Sequence, residues 1–157
     1  MNPEHVQVLV ATRIQQATEA LEDGRYLLAG GRGARTAVNR AYYAAFYAVL
    51  ALLQTIGKTP RKHRGVLMLF DTEFVRTGLL PKTLSESLHR LFDARQDDDY
   101  RRLNPVLPDE ALDLIAVAER FVQAVREYLI GVGYVLSDRQ NDDPDAPAPG
   151  ISRATEP

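Results

Sequence analysis

The run AVNRAYYAAFYAVLALL, Ala37 to Leu53, decides how the chain is read. Sixteen of its seventeen residues carry no charge; the exception is Arg40, with Tyr42, Tyr43 and Tyr47 close behind. On a helical wheel stepped at about 100° per residue, Val38, Ala41, Tyr42, Ala45, Val49, Leu52 and Leu53 share one broad side, with Phe46 at its edge. Thr36, Arg40, Tyr43 and Tyr47 form a stripe roughly opposite. The helix therefore buries one side and presents a guanidinium and phenols on the other. A helix with no charged solvent face has to be covered, here by other helices, a second subunit or a ligand. Two readings follow. In one, Tyr43 and Tyr47 pack on a neighbouring helix and Arg40 pairs with a carboxylate. In the other, Arg40 binds a phosphate or base while a Tyr stacks on the base, a contact that contributes about 1–3 kcal/mol.

Outward from this helix, expected over 34–56, the pattern stays helical. Upstream, Asn2 caps and Pro3 opens a helix over about 3–28, with Val6, Val10, Ile14, Ala17, Leu21 and Leu28 at three-and-four spacing. The GGRG run (30–33) breaks it and Gly57 stops the central helix. Downstream, a basic loop leads to a short helix over about 63–76 that ends at Gly78. Pro81 opens a fourth, to about Tyr100, with Leu84, Leu88, Leu91 and Phe92 on one face. A fifth, about 109–132, carries Leu112, Ile115, Ala118, Phe121, Val122, Val125 and Leu129. No alternating run is bounded by hairpin turns. Short connections between amphipathic helices favour antiparallel neighbours. The expected fold is all-α: an antiparallel up-and-down four-helix bundle with an additional short helix, five helices in all.

At 157 residues, 45% hydrophobic and 25% charged, the chain reads as one domain with a real core. It has no cysteine, which excludes disulfides, zinc–thiolate sites and a Cys nucleophile. No signal-like N-terminus or membrane-length apolar run occurs, so a cytoplasmic, membrane-free protein is expected. The helical domain is expected over 1–134. The remainder, 135–157, is an acidic Pro/Ala/Asp-rich tail with too little apolar surface to order itself. From Ser137 onward there are five acidic and two basic residues, which leaves 1–136 nearly neutral. Electrostatic function therefore rests on local clusters.

One cluster is KTPRKHR (58–64): Lys58, Arg61, Lys62 and Arg64 beside a helix start. It is either a solvated run or a phosphate site, since free N–H groups and the helix dipole favour anions. The other is LFDARQDDDYRR (91–102). Arg95 continues the core-facing stripe of Leu91 and Phe92, and a charge there has to be paired or line a cleft. Asp98 and Asp99 stand within reach of it. Three consecutive Asp near a helix C-terminus oppose the macrodipole, at about 0.3–1 kcal/mol each, an unfavourable local choice that points to function. No second acidic cluster accompanies them, so neither a metal site nor a cofactor is expected.

NRAYYAAFYAVLALL, GKTPRKHRGV, FVRTGLLP and LFDARQDDDY, in this order, resemble the HEPN superfamily, closest to its small stand-alone prokaryotic branch. The resemblance spans roughly residues 8 to 130. It implies an all-α bundle, homodimerisation, and a nucleotidyltransferase partner in a toxin–antitoxin or defence module. It also implies RNA or nucleotide binding, and in active members metal-independent endoribonuclease chemistry. The family's catalytic signature is Arg, four to six residues, then His. Here Arg95 is followed after four residues by Tyr100, and none of His5, His63 and His89 completes the motif. Metal-free cleavage needs a base for the 2′-hydroxyl, an acid for the 5′-oxygen and a cation for the phosphorane. Arg95 can supply the cation. Tyr100, with an ordinary pKa near 10, is a poor base. His63 titrates in the right range, and His89 reads as a surface or packing residue. The expected catalytic set is Arg95, His63, Asp99 and Tyr100, with Tyr100 also a candidate for nucleotidyl modification. The expected phosphate-binding set is Arg40, Tyr43, Lys58, Arg61, Lys62 and Arg64. The alternative is a non-catalytic helical dimer that serves as an interaction partner or regulatory scaffold.

Overall fold

The structure, a computed structural model, describes residues 2–96 and 105–137. Among these residues every regular element is helical: α1 (Pro3–Ala29), α2 (Ala34–Thr55), α3 (His63–Phe70), α4 (Lys82–Gln96) and α5 (Pro108–Gly131). A five-residue π-helical turn, Asp71–Val75, extends α3. The Asn2 side chain accepts the Glu4 N–H at 2.9 Å, closing the start of α1. Gly33 and Gly57 bracket α2 with φ of 75° and 70°, a region that side-chain-bearing residues avoid.

Helix α2 is the axis of the molecule and touches every other helix. Val38, Ala41, Tyr42, Ala45, Val49, Leu52 and Leu53 are buried, as the wheel requires. The burial goes further than that, because Ala37, Ala44, Ala48 and Ala51 are buried too. Small side chains let helices approach closely, and α1 answers with a glycine. A Cβ on Gly24 would stand 3.5 Å from the Arg40 Cβ and 3.0 Å from the Ile115 side chain. Gly24 is thus where α1, α2 and α5 converge, and this crossing seats the backbone of Arg40. Between Ala37 and Leu53 only a narrow strip stays half-buried: Asn39, Arg40, Tyr43, Phe46, Tyr47 and Leu50.

Two expectations need correction. The third helix does not continue unbroken to Arg76. At Asp71 it widens to a π turn, closed by Arg76 N–H donating to the Asp71 carbonyl at 2.9 Å. Phe70 and Phe74 both stay buried, against Phe121 and Tyr128 of α5 respectively. The Asp71 carboxylate meanwhile meets α4, accepting from Ser85 Oγ at 2.5 Å and meeting His89 Nε2 at 2.8 Å. On α5, Leu112 is 45% exposed, while Ala111 and Leu114 are buried. The core stripe runs Ala111, Leu114, Ile115, Ala118, Phe121, Val122, Val125 and Leu129, and Leu112 falls outside its arc. Beyond α5, Gln7 and Val135 exchange two hydrogen bonds, of 2.8 and 3.0 Å, which carry the chain back along α1. The expected extension of the fourth helix to Tyr100 lies outside the described residues, as does the expected tail from residue 138 on. Among the described residues, no helix is long and apolar enough to cross a membrane.

Candidate nucleic-acid interface

The half-buried strip of α2 meets the last turn of α4 and the first turn of α3. Arg95, at the end of α4, projects across α2. Its guanidinium carbon lies 5.1 Å from the Tyr42 ring centroid and 5.2 Å from that of Tyr43, and Nη2 donates to the Tyr43 hydroxyl at 3.2 Å. Arg40 approaches the same Tyr43 ring, with its guanidinium carbon 5.1 Å from the centroid, while its Nη2 donates to Asn39 Oδ1 at 3.0 Å. Two cations thus share one aromatic ring. Such contacts are worth about 0.5–2 kcal/mol each, and two guanidiniums on one ring leave local positive charge that an anion would neutralise. Arg95 also borders a cleft of about 400 Å³ with Arg35, Val38, Asn39, Ala94, Gln96 and Val106.

His63 completes the cluster from the α3 side. Its ring stacks on Phe46, with centroids 4.5 Å apart, and its Nδ1 lies 2.8 Å from the Tyr42 hydroxyl. Tyr42 is wholly buried, and burial pushes its phenol well above the ordinary value; the Arg95 charge opposes this and Tyr43 adds to it. The phenol therefore stays protonated. Among the described residues its hydroxyl has no other hydrogen-bond acceptor. A buried O–H proton left without an acceptor is costly, so the hydrogen bond is assigned with Tyr42 donating to Nδ1 and the His63 proton on Nε2. Burial, and secondarily the positive charge of Arg95, hold the His63 imidazole below its usual value. At neutral pH His63 is thus a neutral ring with an N–H donor on Nε2.

Of the residues singled out from sequence, Tyr43, His63 and Arg95 come together around Tyr42, and Arg40 joins them at the Tyr43 ring. Arg61, Lys62 and Arg64 are exposed near His63, with no ion-pair partner among the described residues. Lys58 is engaged elsewhere, 2.9 Å from Glu73. His89 is exposed and tied to Asp71. Asp99 and Tyr100 lie outside the described residues, with Asp98. Four contributors were not anticipated for the site. Arg35 and Asn39 follow the i, i+4 spacing into Tyr43, a signal that was available. Tyr42 as a hydrogen-bond partner and Phe46 as a stacking surface depend on His63, which no periodicity ties to them. Among the described residues no group of three or more His, Asp or Glu is placed to hold a metal ion.

Comparison with known proteins agrees with this architecture. The family model of the HEPN domain matches residues 10–128. A UPF0332 protein of Thermotoga maritima is 40% identical over 115 residues, 73% of this chain and 86% of the relative. A candidate toxin of Methanocaldococcus jannaschii is 35% identical over 105 residues, 67% of this chain and 71% of the relative. A second candidate toxin of that organism is 36% identical over 95 residues, 60% of this chain and 70% of the relative. The helical bundle and these matches together show that the chain belongs to the HEPN domain family.

Proposed function

We propose that this chain is a toxin-like RNA-binding protein in which Arg95, Arg40 and the Nε2–H of His63 hold a backbone phosphate. The observation that carries the reading is the pair of guanidiniums on the Tyr43 ring beside an imidazole N–H donor. Charge-assisted donors of this kind favour phosphate oxygens, and the rings of Tyr43 and Tyr47 offer stacking surface for a base. The names of two relatives as candidate toxins supply the toxin-like context. A second copy of the chain completing the cleft, and a nucleotidyltransferase as antitoxin, are the partners this reading expects.

Cleavage would form the 2′-O–P bond as the P–O5′ bond breaks. The 2′ proton passes to a base, and a proton reaches the departing 5′-oxygen. Arg95 and Arg40 would stabilise the phosphorane. In its resting tautomer His63 donates from Nε2 and cannot take the 2′ proton there. Turnover requires the other tautomer, with Nδ1–H donating to the Tyr42 oxygen. That one observation favours a second reading, a non-catalytic helical dimer that binds without cutting. Single-turnover incubation of labelled RNA, with binding measured in parallel, separates the two. Arg95→Ala weakens RNA binding about tenfold or more if a charge-assisted contact of about 1.5–3 kcal/mol is lost. Cleavage by wild type that Arg95→Ala abolishes establishes the enzyme. Binding without cleavage leaves the binder, and equal affinity of both proteins removes the site.

A further inference from the structure

A second groove opens on the far side of Phe92. It has a volume of about 320 Å³ and runs between α3 with its π turn and α4. Arg64 and Arg76 line it, Leu67, Met68 and Phe92 give it an apolar floor, and Asp71, His89 and Asp93 stand at its α4 side. Neither Arg64 nor Arg76 has a carboxylate partner among the described residues. Asp71 does not serve them, because Ser85 and His89 already engage its two oxygens. Met68 is 62% exposed, an unbranched apolar side chain lying open beside two cations. The π turn produces this arrangement. By widening the helix at Asp71 it aims that carboxylate at α4 and leaves Arg76 on the groove. Insertions of this type recur at functional positions.

The groove neighbours the first site across Phe92. Arg64 follows His63 directly, and Phe92 lines the groove on one side while packing on Tyr42 at 5.8 Å on the other. At no more than about 1.5 Å per residue, Arg64 and Arg76 stand up to about 18 Å apart along the helix. Two cations spread over α3 and its π turn suit a stretch of strand better than a single phosphate. We propose that the α3–α4 groove is a second RNA subsite, in which Arg64 and Arg76 hold phosphates of the strand flanking the Arg95 cleft and a base rests on Met68 and Phe92. The proposal rests on the RNA-binding reading above and extends it to a longer footprint.

The test compares fluorescently labelled oligouridylate of about eight nucleotides with a uridine trinucleotide on the full chain, across a salt series. Wild type, Arg76→Ala, Arg76→Lys and Arg95→Ala are used, each confirmed folded by its thermal transition. The expected result is that Arg76→Ala binds the longer strand about five- to tenfold more weakly. Its slope of log K against log salt should fall by about 0.7, one single-strand phosphate contact. The trinucleotide should bind Arg76→Ala as wild type does, and Arg76→Lys should keep the slope. Unchanged affinity and slope for Arg76→Ala, with Arg95→Ala impaired, overturns the groove and leaves the first site standing. Equal weakening for both lengths also overturns it. Failure of wild type to bind either oligonucleotide removes both readings. Arg76-dependent binding of an oligoglutamate peptide with no Arg76 effect on RNA overturns the subsite in favour of a protein partner.

Discussion

Replacing Tyr42 by Phe deletes one oxygen and nothing else, which makes it a sharp probe of the His63 tautomer. The ring is wholly buried, so its packing against Phe46, Phe92 and the Arg95 guanidinium survives. What is lost is the 2.8 Å bond to His63 Nδ1. A typical internal hydrogen bond contributes about 0.5–1.5 kcal/mol net. No large cavity opens, so no further cavity cost is added. The expected destabilisation is therefore about 1 kcal/mol, or about 2–4 °C in the melting temperature for a domain of this size. Thermal unfolding followed by circular dichroism measures it. Nitrogen-15 NMR of the imidazole, recorded above neutral pH, supplies the readout that a merely structural role would not move. Wild type should carry its His63 proton on Nε2, and Tyr42→Phe should relax that preference toward a mixture. A wild-type signal with the proton on Nδ1 refutes the reasoning. So does a variant whose melting temperature and imidazole shifts match wild type.

Three further outcomes follow from the same geometry. His63 is held below its ordinary value of about 6.5 by burial and then by Arg95, so its neutral form is the one the fold favours. Its contribution is fully present above that value and is lost as pH falls through the folded-state value. Urea midpoints taken across this acid window should show a fall that His63→Phe diminishes. Gln54 is buried near the end of α2, and among the described residues its Oε1 has no hydrogen-bond partner; Gln54→Met should therefore stabilise the protein by about 1 kcal/mol in the same denaturant assay. Gly24→Leu forces a side chain toward Ile115 and Arg40 and should cost about 1–3 kcal/mol by overpacking, with a matching fall in melting temperature.

The helices were legible because their signals are local. Three-and-four spacing places α1, α2, α5 and the start of α4 to within a few residues, and Asn2, Pro3, Gly33 and Gly57 mark ends of α1 and α2. The meeting of Arg40 with Arg95 was partly legible. Arg95 continues the buried stripe of α4 and Arg40 heads the open stripe of α2, so both had to sit at a helix junction. That they share the Tyr43 ring comes from packing. The rest depended on contacts between elements. Tyr42 and His63 are 21 residues apart and their bond leaves no periodic trace. The π turn at Asp71 answers to Ser85 and His89 on α4, which propensity does not encode. Leu112 misled because its spacing to Ile115 mimics a core pair, whereas Ala111 and Leu114 hold the phase of the buried arc.

The most direct measurement is a double-mutant cycle on RNA affinity, using Arg40→Ala, Arg95→Ala and both together at fixed salt. If the two guanidiniums that share the Tyr43 ring grip one phosphate, each single change should weaken binding, and the double variant should lose less than the sum of the two. Strictly additive losses, or single variants that bind as wild type does, would contradict a shared phosphate site.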